Sequence, residues 1–163
     1  MSSSYCYQYA LGLLARAEQS SFTLRRKLKL KGHLEADIEE ALGLLAEKNY
    51  LNDERYVQAK IKSLLLYRGR GIHYIQAKLN QEGFKVSNDQ IKAIASENQI
   101  SQTDTLIAAR EKMLNRRGWQ LKTLDQKSKT KLIQGLQRQG FNLREILQCL
   151  NQVNQVNQVP ANF

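Results

Sequence analysis

The chain has 163 residues and a formal charge of +10, from 25 Lys and Arg against 15 Asp and Glu. No apolar run reaches the roughly twenty residues of a membrane-spanning helix, and no basic-then-apolar leader opens the chain, so we expect neither a membrane protein nor standard export. Cys6 and Cys149 lack the spacing of metal ligands, and a reducing, cytoplasmic location is expected.

Apolar residues recur at helical rather than alternating spacing, and Pro160 is the only proline, so the sequence predicts an all-α fold. A first helix is expected before Ser20 and Ser21, either of which can cap a second helix. The apolar side of that second helix holds Leu24 and Leu28. Its remaining faces are cationic, through Arg25, Arg26, Lys27, Lys29 and Lys31.

The stretch from 50 to 84 forms one complete helical unit. Asn52 can cap a helix and Asp53 suits the positive helix start, and apolar positions then continue to Leu65. A basic turn, Arg68-Gly69-Arg70-Gly71, interrupts the periodicity, and we expect it to be a flexible elbow. A second helix follows and ends at Gly83, placed like a C-terminal glycine cap.

The end of that second helix recurs on both sides with identical internal spacing. The three copies are Leu24, Leu28 and Gly32; Ile75, Leu79 and Gly83; and Leu132, Leu136 and Gly140. Each glycine is followed by a further helical stripe, beginning at Ile38, Ile91 and Ile146. The sequence therefore predicts an elongated, curved array of three tandem three-helix modules. We assign them to residues 1–51, 52–100 and 101–152, with a low-complexity tail at 153–163 that we expect to be frayed or disordered.

Positive charge is concentrated toward the C-terminus. The net charge is +1 over residues 1–52, +3 over 53–103 and +6 over 104–163. The basic third module has a cationic helix face with Arg110, Lys112, Arg116 and Arg117, followed by the only tryptophan, Trp119, for which packing in a core is favoured over stacking on a base. A pI near 9.7 favours a polyanionic partner, with general solvation by surface lysines as the alternative.

No constellation of catalytic residues is visible, and we expect neither an enzyme nor a cofactor or metal site. His33 and His73 lie in different modules, and each has a structural explanation: His33 stands where the other repeats have phenylalanine, and His73 lies in a first helical turn. Gly69 and Gly71 lack the preceding strand that a dinucleotide site requires. A binding or regulatory role is therefore favoured.

Two stretches resemble the RecX family of recombination regulators. The middle one contains Tyr50, Leu51, Asn52, Asp53, Arg55 and Tyr56, then Gly69, Gly71, Ile75, Leu79 and Gly83; the first contains Leu13, Leu14, Arg16, Leu24, Arg25, Lys27, Leu28 and Gly32. The resemblance covers about residues 9–91 well and the third module only by its plan. The family usually has proline where this chain has Ile72, so a looser elbow is expected. The family also tends to have arginines in the helix before the elbow, where this chain has residues 63–66.

The resemblance implies a monomeric regulator in DNA recombination, DNA repair and the SOS response. Such a protein binds RecA and its filament on single-stranded DNA and limits recombinase, ATPase and coprotease activity. Weak direct DNA binding is a further expectation. We predict that the contact surface comprises Arg25, Arg26, Lys29, Arg68, Arg70, Arg116 and Arg117. Module packing is assigned to Tyr50, Leu51, Asp53, Tyr56 and Gly83, and replacement of Tyr50 is expected to lower the melting temperature.

Two other classes of function remain open. A three-helix module with a basic helix is also typical of a sequence-specific helix-turn-helix DNA-binding regulator, which would recognise a defined duplex site. A protein scaffold, in which charge serves only solubility, would bind its partner with weak salt dependence.

Overall fold

The computed structural model describes residues 3–155, with side chains described from 4 to 151. This part of the chain is helical and has no strand, which confirms the predicted all-α class. The α-helices are α1 (Ser3–Arg16), α2 (Ser21–Leu30), α3 (Glu35–Glu47), α4 (Asp53–Leu66), α5 (Ile72–Gln81), α6 (Asn88–Glu97), α7 (Gln102–Arg117), α8 (Gln126–Arg138) and α9 (Leu143–Gln155). A short 3-10 helix, Leu121–Thr123, precedes α8.

In the described part of the chain, α1–α3 correspond to the predicted first module, α4–α6 to the predicted middle module and α7–α9 to the predicted third module, and the repeat is visible in the backbone. Gly32, Gly83 and Gly140 end α2, α5 and α8 with φ of +91°, +85° and +91°, in a region that favours glycine because it has no Cβ. The six aliphatic residues that define the repeat are all buried. The repeat predicted from spacing is therefore a repeat of structure.

The chain divides into two compact units. The first contains residues 3–60 and 81–84, and the second contains residues 61–80 and 85–155. The predicted module boundaries and the predicted arrangement of the modules remain predictions. Helix α9 continues to Gln155, so three residues of the predicted tail are helical. Residues 156–163, the rest of that tail, lie outside the described residues.

The core of the first unit forms between α1, α2 and α3. It consists of Cys6, Ala10, Leu24, Leu28, Ile38, Ala41, Leu42, Leu45 and Leu51. Ser20 caps α2, with its hydroxyl accepting a hydrogen bond from the Thr23 amide at 3.1 Å, as predicted. His33 is buried between the rings of Tyr5 and Tyr9, whose centroids lie 5.6 and 5.9 Å from its own. It is thus buried at the position where the other repeats have phenylalanine.

The core of the second unit includes a cluster between α7, α8 and α9. Its buried residues are Leu106, Ala109, Leu114, Leu132, Leu136, Phe141, Ile146, Cys149 and Leu150. Trp119 is half-buried against this cluster, in agreement with its predicted role in packing. None of the helices in the described part of the chain has the length and apolarity that a membrane crossing requires.

Candidate binding surfaces

The basic elbow lies between α4 and α5 and is held by backbone hydrogen bonds. The Arg70 amide donates to the carbonyl of Leu64 at 2.9 Å, at the end of α4. The Gly71 amide donates to the carbonyl of Gln139 at 2.8 Å, and the His73 amide donates to that of Gly140 at 3.2 Å. Hydrogen bonds to the end of α8 thus hold the backbone at the position where the family usually has proline, and the looser elbow remains a prediction.

Gly71 and Gly140 make this contact possible because the two backbones meet there. A Cβ on Gly71 would lie 2.3 Å from the carbonyl oxygen of Gly140, and a Cβ on Gly140 would lie 2.3 Å from the amide nitrogen of Tyr74. Both distances are far below van der Waals contact, and both involve backbone atoms that cannot move aside cheaply. The second elbow glycine is therefore a docking point for the end of α8.

The elbow presents its two arginines differently. Arg68 is exposed and follows Tyr67, whose side chain is 82% exposed. Arg70 is half-buried, and its Cζ lies 4.6 Å from the centroid of the Tyr74 ring, within the range of a cation–π contact. Neither has an ion-pair partner among the residues that the structure describes. Arg68 is thus exposed and available to a partner, whereas the guanidinium group of Arg70 packs against the Tyr74 ring.

Two of the three predicted contact residues of α2 form ion pairs within the first module. Arg25 forms ion pairs with Glu39 and with Glu35, where Nη1 and Oε1 are 3.0 Å apart, and Lys29 Nζ lies 2.8 Å from Glu35 Oε2. The hydrogen bond from Lys29, then its charge and the contact with Arg25, hold the pKa of Glu35 below its ordinary value of 4.5 despite slight desolvation. Only Arg26, of the three predicted contact residues here, is exposed with no described ion pair.

In the third module Arg116 and Arg117 are exposed at the end of α7, as their predicted role requires. Arg117 Cζ lies 4.6 Å from the Trp119 ring centroid, so Arg117 covers the half-buried indole. Arg110, predicted on the same cationic face, is instead only 7% exposed. It donates from Nη1 to the carbonyl of Cys149 at 3.0 Å and pairs with Glu111 at 2.7 Å. Its prediction as a surface cation was wrong, because it lies on the core side of α7.

The residues assigned to packing divide into buried and exposed members. Leu51 and Tyr56 are buried, and the Tyr56 hydroxyl donates to Glu82 Oε2 at 2.7 Å while Lys60 Nζ donates to it at 3.1 Å. Burial, followed by the bond to Glu82, raises the pKa of Tyr56 above its ordinary value of 10. These contacts join α4 to Glu82, the residue that follows α5.

Asp53 and Asn52 link α4 to the first module through capping interactions. The Asn52 side chain accepts from the Arg55 amide at 2.9 Å, which makes it the predicted cap. The Asp53 carboxylate accepts from the amide of Ser21 at 2.7 Å and from its hydroxyl, so it caps the start of α2 rather than only its own helix. Gly83 has the predicted left-handed backbone, and the space beside it is bounded by the Phe22 ring.

Tyr50 differs from the other members of the predicted packing motif because its side chain is 51% exposed. Its backbone, however, is engaged: the amide donates to the carbonyl of Leu45 at 2.9 Å, and the carbonyl accepts from Arg55 Nη2 at 3.1 Å. The exposure of the Tyr50 side chain therefore does not support the predicted packing role. Tyr50 contributes backbone hydrogen bonds just beyond the C-terminal end of α3 instead.

No group of His, Cys, Asp and Glu side chains within the described residues could hold a metal ion. Cys6 and Cys149 are both free and buried. Burial, and to a lesser extent the charge of Asp37, raises the pKa of the Cys6 thiol, so this cysteine is protonated and serves as an apolar core residue.

The described residues define an all-α protein of three-helix modules with exposed cations, and comparison with known proteins identifies its family. A profile described as RecX, first three-helix domain, matches residues 6–45. The Regulatory protein RecX of Vibrio parahaemolyticus is 34% identical over 143 residues, which cover 87% of each chain. That of Haemophilus influenzae PittEE is 35% identical over 99 residues, covering 60% of this chain and 63% of the relative.

Solved structures agree at the level of fold. The crystal structure of RecX from Lactobacillus salivarius aligns with a TM-score of 0.70 at 19% identity, covering 93% of this chain and 96% of that one. A second crystal structure, of a regulatory protein RecX, aligns with a TM-score of 0.72 at 18% identity. This chain belongs to the RecX family of regulatory proteins.

Proposed function

We propose that this protein binds RecA assembled on single-stranded DNA and limits the recombinase, ATPase and coprotease activities of RecA. Membership of a family whose relatives are named regulatory proteins supports a regulatory rather than an enzymatic role. Residues that carry the resemblance have structural positions: Leu51 is in the core of the first unit, Tyr56 joins α4 to Glu82, and Gly71 docks the elbow on the end of α8. We place the protein in the cytoplasm, where RecA acts, and expect a monomer without a cofactor.

The observation that most favours a nucleoprotein partner is the free cation at the elbow. Arg68 is exposed, has no ion pair among the described residues and follows the exposed ring of Tyr67. An unpaired arginine can contact phosphate or carboxylate through two parallel hydrogen bonds, and a tyrosine can pack against a protein or a base. The fixed backbone at Gly71 presents both side chains on a rigid element, which reduces the entropy lost on binding.

A variant at Arg68 tests this assignment. Arg68→Ala is expected to weaken binding to RecA filaments on single-stranded DNA by about 1–3 kcal/mol, in the range for a lost charge-assisted hydrogen bond, and to reduce inhibition of the RecA ATPase in parallel. Lys85→Ala is the matched control, because Lys85 is an exposed cation of the same unit outside the elbow. Equal affinities for the two variants would reject the elbow as a contact.

The alternative functions give different outcomes in the same assays. A sequence-specific duplex-binding regulator would prefer one duplex sequence and leave the RecA ATPase unchanged, because base-edge contacts discriminate between sequences. A scaffold would bind a protein partner with little dependence on salt.

A further inference from the structure

Helix α8 has a solvent face made of cationic and neutral polar side chains. Its exposed side chains are Gln126, Lys127, Thr130, Lys131, Gln134, Gln137 and Arg138. The face therefore contains three cations and otherwise only neutral polar groups, with neither an acidic nor an apolar residue. Leu132 and Leu136, both fully buried, hold the other side of the helix in the core of the third module.

The three cations form a straight row. At 3.6 residues per turn, Lys127, Lys131 and Arg138 fall within about 40° of the helix circumference, and they span about 16 Å along its axis. None has an ion-pair partner in the part of the chain that the structure describes. Asp125, the nearest carboxylate in sequence, caps the helix by accepting from the Ser128 amide at 2.8 Å. The hydrogen bonds from Ser128, with a smaller contribution from Lys131, keep the pKa of Asp125 low.

We propose that the α8 row, Lys127, Lys131 and Arg138, binds the phosphate backbone of a single nucleic-acid strand. This deepens the proposed function, since it assigns the DNA component of the filament to one surface of the third module. Lysine is depleted and aromatic residues are enriched at protein interfaces, so a lysine row without apolar neighbours fits phosphates better than a protein surface. Gln134 can add a hydrogen bond to a phosphate or sugar oxygen, whereas the Thr130 hydroxyl already donates to the carbonyl of Gln126 at 2.9 Å.

The single row also distinguishes one strand from a duplex. A helix in the major groove lies between two phosphate backbones, about 12 Å apart, and needs cations on both of its flanks. The three exposed cations of α8 lie along one line, so they can follow one backbone only; the fourth cation, Lys129, is half-buried and lies about 160–200° around the helix from them. The expected contact is independent of base sequence, because lysine and arginine reach phosphates without reading base edges.

The experiment compares two triple variants of the full chain. Lys127→Gln, Lys131→Gln and Arg138→Gln together remove the α8 row, and Lys112→Gln, Lys122→Gln and Arg144→Gln together remove equal charge from exposed positions of the same module outside α8. Binding to a fluorescent thymidine oligonucleotide and to a duplex of equal length is measured by anisotropy across a salt titration. All substitutions are at the surface, and circular dichroism melting checks that both variants fold.

Loss of three phosphate contacts should lower the salt slope for the single strand by about 2 and the affinity near 0.1 M salt by about 100-fold, at about 0.7 slope units per contact. The control variant should lose much less. Equal losses in both variants, or loss of duplex binding alone, would overturn the proposal. So would an α8 variant that keeps oligonucleotide affinity but loses filament binding, since the row would then contact protein.

The outcome is separable from that of the proposed function. If the wild-type protein inhibits RecA but does not bind the oligonucleotide, the α8 proposal fails and the regulatory function stands. If α8-dependent binding to the oligonucleotide is found and RecA activity is untouched, the α8 proposal stands and the regulatory function fails.

Discussion

The first and third modules share one skeleton and differ in how their charges are used. In both, an aliphatic pair on the middle helix is buried and a left-handed glycine ends that helix. In the first module, however, acids of α3 neutralise Arg25 and Lys29, and the outer side of α2 exposes the apolar Phe22 and Leu30. In the third module α8 has no acidic residue, and its exposed cations have no ion-pair partner within the described residues.

The shared features of the two modules are those that the fold requires, and we attribute the difference in their surface charges to binding of a partner. The shared elements are buried or conformationally special, so they are constrained by stability. Surface ion pairs contribute little to stability, so the fold places little constraint on the surface charges. The cations Arg25 and Lys29 are paired in the first module, whereas those of the α8 row are exposed in the third, and we attribute this difference to binding. We therefore expect the first module to contact protein and the third module to contact nucleic acid.

The repeat glycines give the largest contrast between the two modules. Gly32 and Gly140 have the same φ of +91°, but a Cβ on Gly32 meets nothing within 4 Å, whereas one on Gly140 meets the backbone of Tyr74. Gly32→Ala should cost about 1–2 kcal/mol from left-handed strain alone. Gly140→Ala should cost about 2–5 kcal/mol, because overpacking adds about 1–3 kcal/mol.

Urea denaturation followed by circular dichroism measures both variants. Equal costs would contradict the docking of the elbow on the end of α8, because only that contact distinguishes the two positions.

The linker that follows α3 provides the next contrast. Leu51 is buried in the core of the first unit and Tyr50 is half-exposed, although both belong to the motif that marks the family. Leu51→Ala should lower the free energy of unfolding by about 2–5 kcal/mol. Tyr50→Ala should change it by about 0.5 kcal/mol, as is usual for a surface position. A large loss for Tyr50→Ala in thermal melting would restore the packing role that the sequence suggested.

Substitution of the acidic residues of α3 tests whether ion pairing prevents the cations of the first module from binding DNA. Replacing Glu35 and Glu39 with Gln frees Arg25 and Lys29, so the salt slope for single-stranded DNA should steepen by as much as about 1.4, the value for two new phosphate contacts. Glu40→Gln with Glu47→Gln is the control, because it makes the same change in net charge on α3 at exposed acids without described ion pairs. If both pairs of substitutions steepen the slope equally, general charge rather than the release of paired cations is responsible.

The pKa of Glu35 gives the smallest expected effect. Because the folded protein holds this pKa below 4.5, ionised Glu35 stabilises the fold above about that pH, and the stabilisation is lost as pH falls through the folded pKa. Lys29→Ala should return the pKa toward its ordinary value, measured by NMR titration of the side-chain carboxyl. Lys27→Ala should leave it in place, since Lys27 bonds to Gln19 instead. An unshifted Glu35 in Lys29→Ala would show that the pair does not form in solution.

The sequence was sufficient to predict the local features of the fold. Helical periodicity located the helices, and the leucine-leucine-glycine spacing located the repeat, because both are properties of contiguous segments. The caps at Ser20 and Asn52 follow from residue type and position in the same way, and Ser87 with Gln90 forms a complete capping box at the start of α6.

Features that depend on distant residues were missed. The docking of Gly71 on Gly140 joins residues 69 positions apart, and no local pattern indicates it. The burial of Arg110 had a signal, because it lies four residues after Leu106 and four before Leu114, on the buried side of α7. The pairing of Arg25 with Glu35 and Glu39 depends on the packing of α2 against α3. The sequence alone therefore did not show which cations of α2 form ion pairs.

The most direct measurement of the central claim is a salt titration of the wild-type protein against bare single-stranded DNA, bare duplex, and RecA assembled on single-stranded DNA with a nucleoside triphosphate. The ATPase of RecA is followed in the third case. We predict preference for the RecA filament, with the ATPase falling as the protein binds. Equal affinity for duplex and filament, with the ATPase unchanged, would contradict the regulatory function and favour DNA itself as the partner.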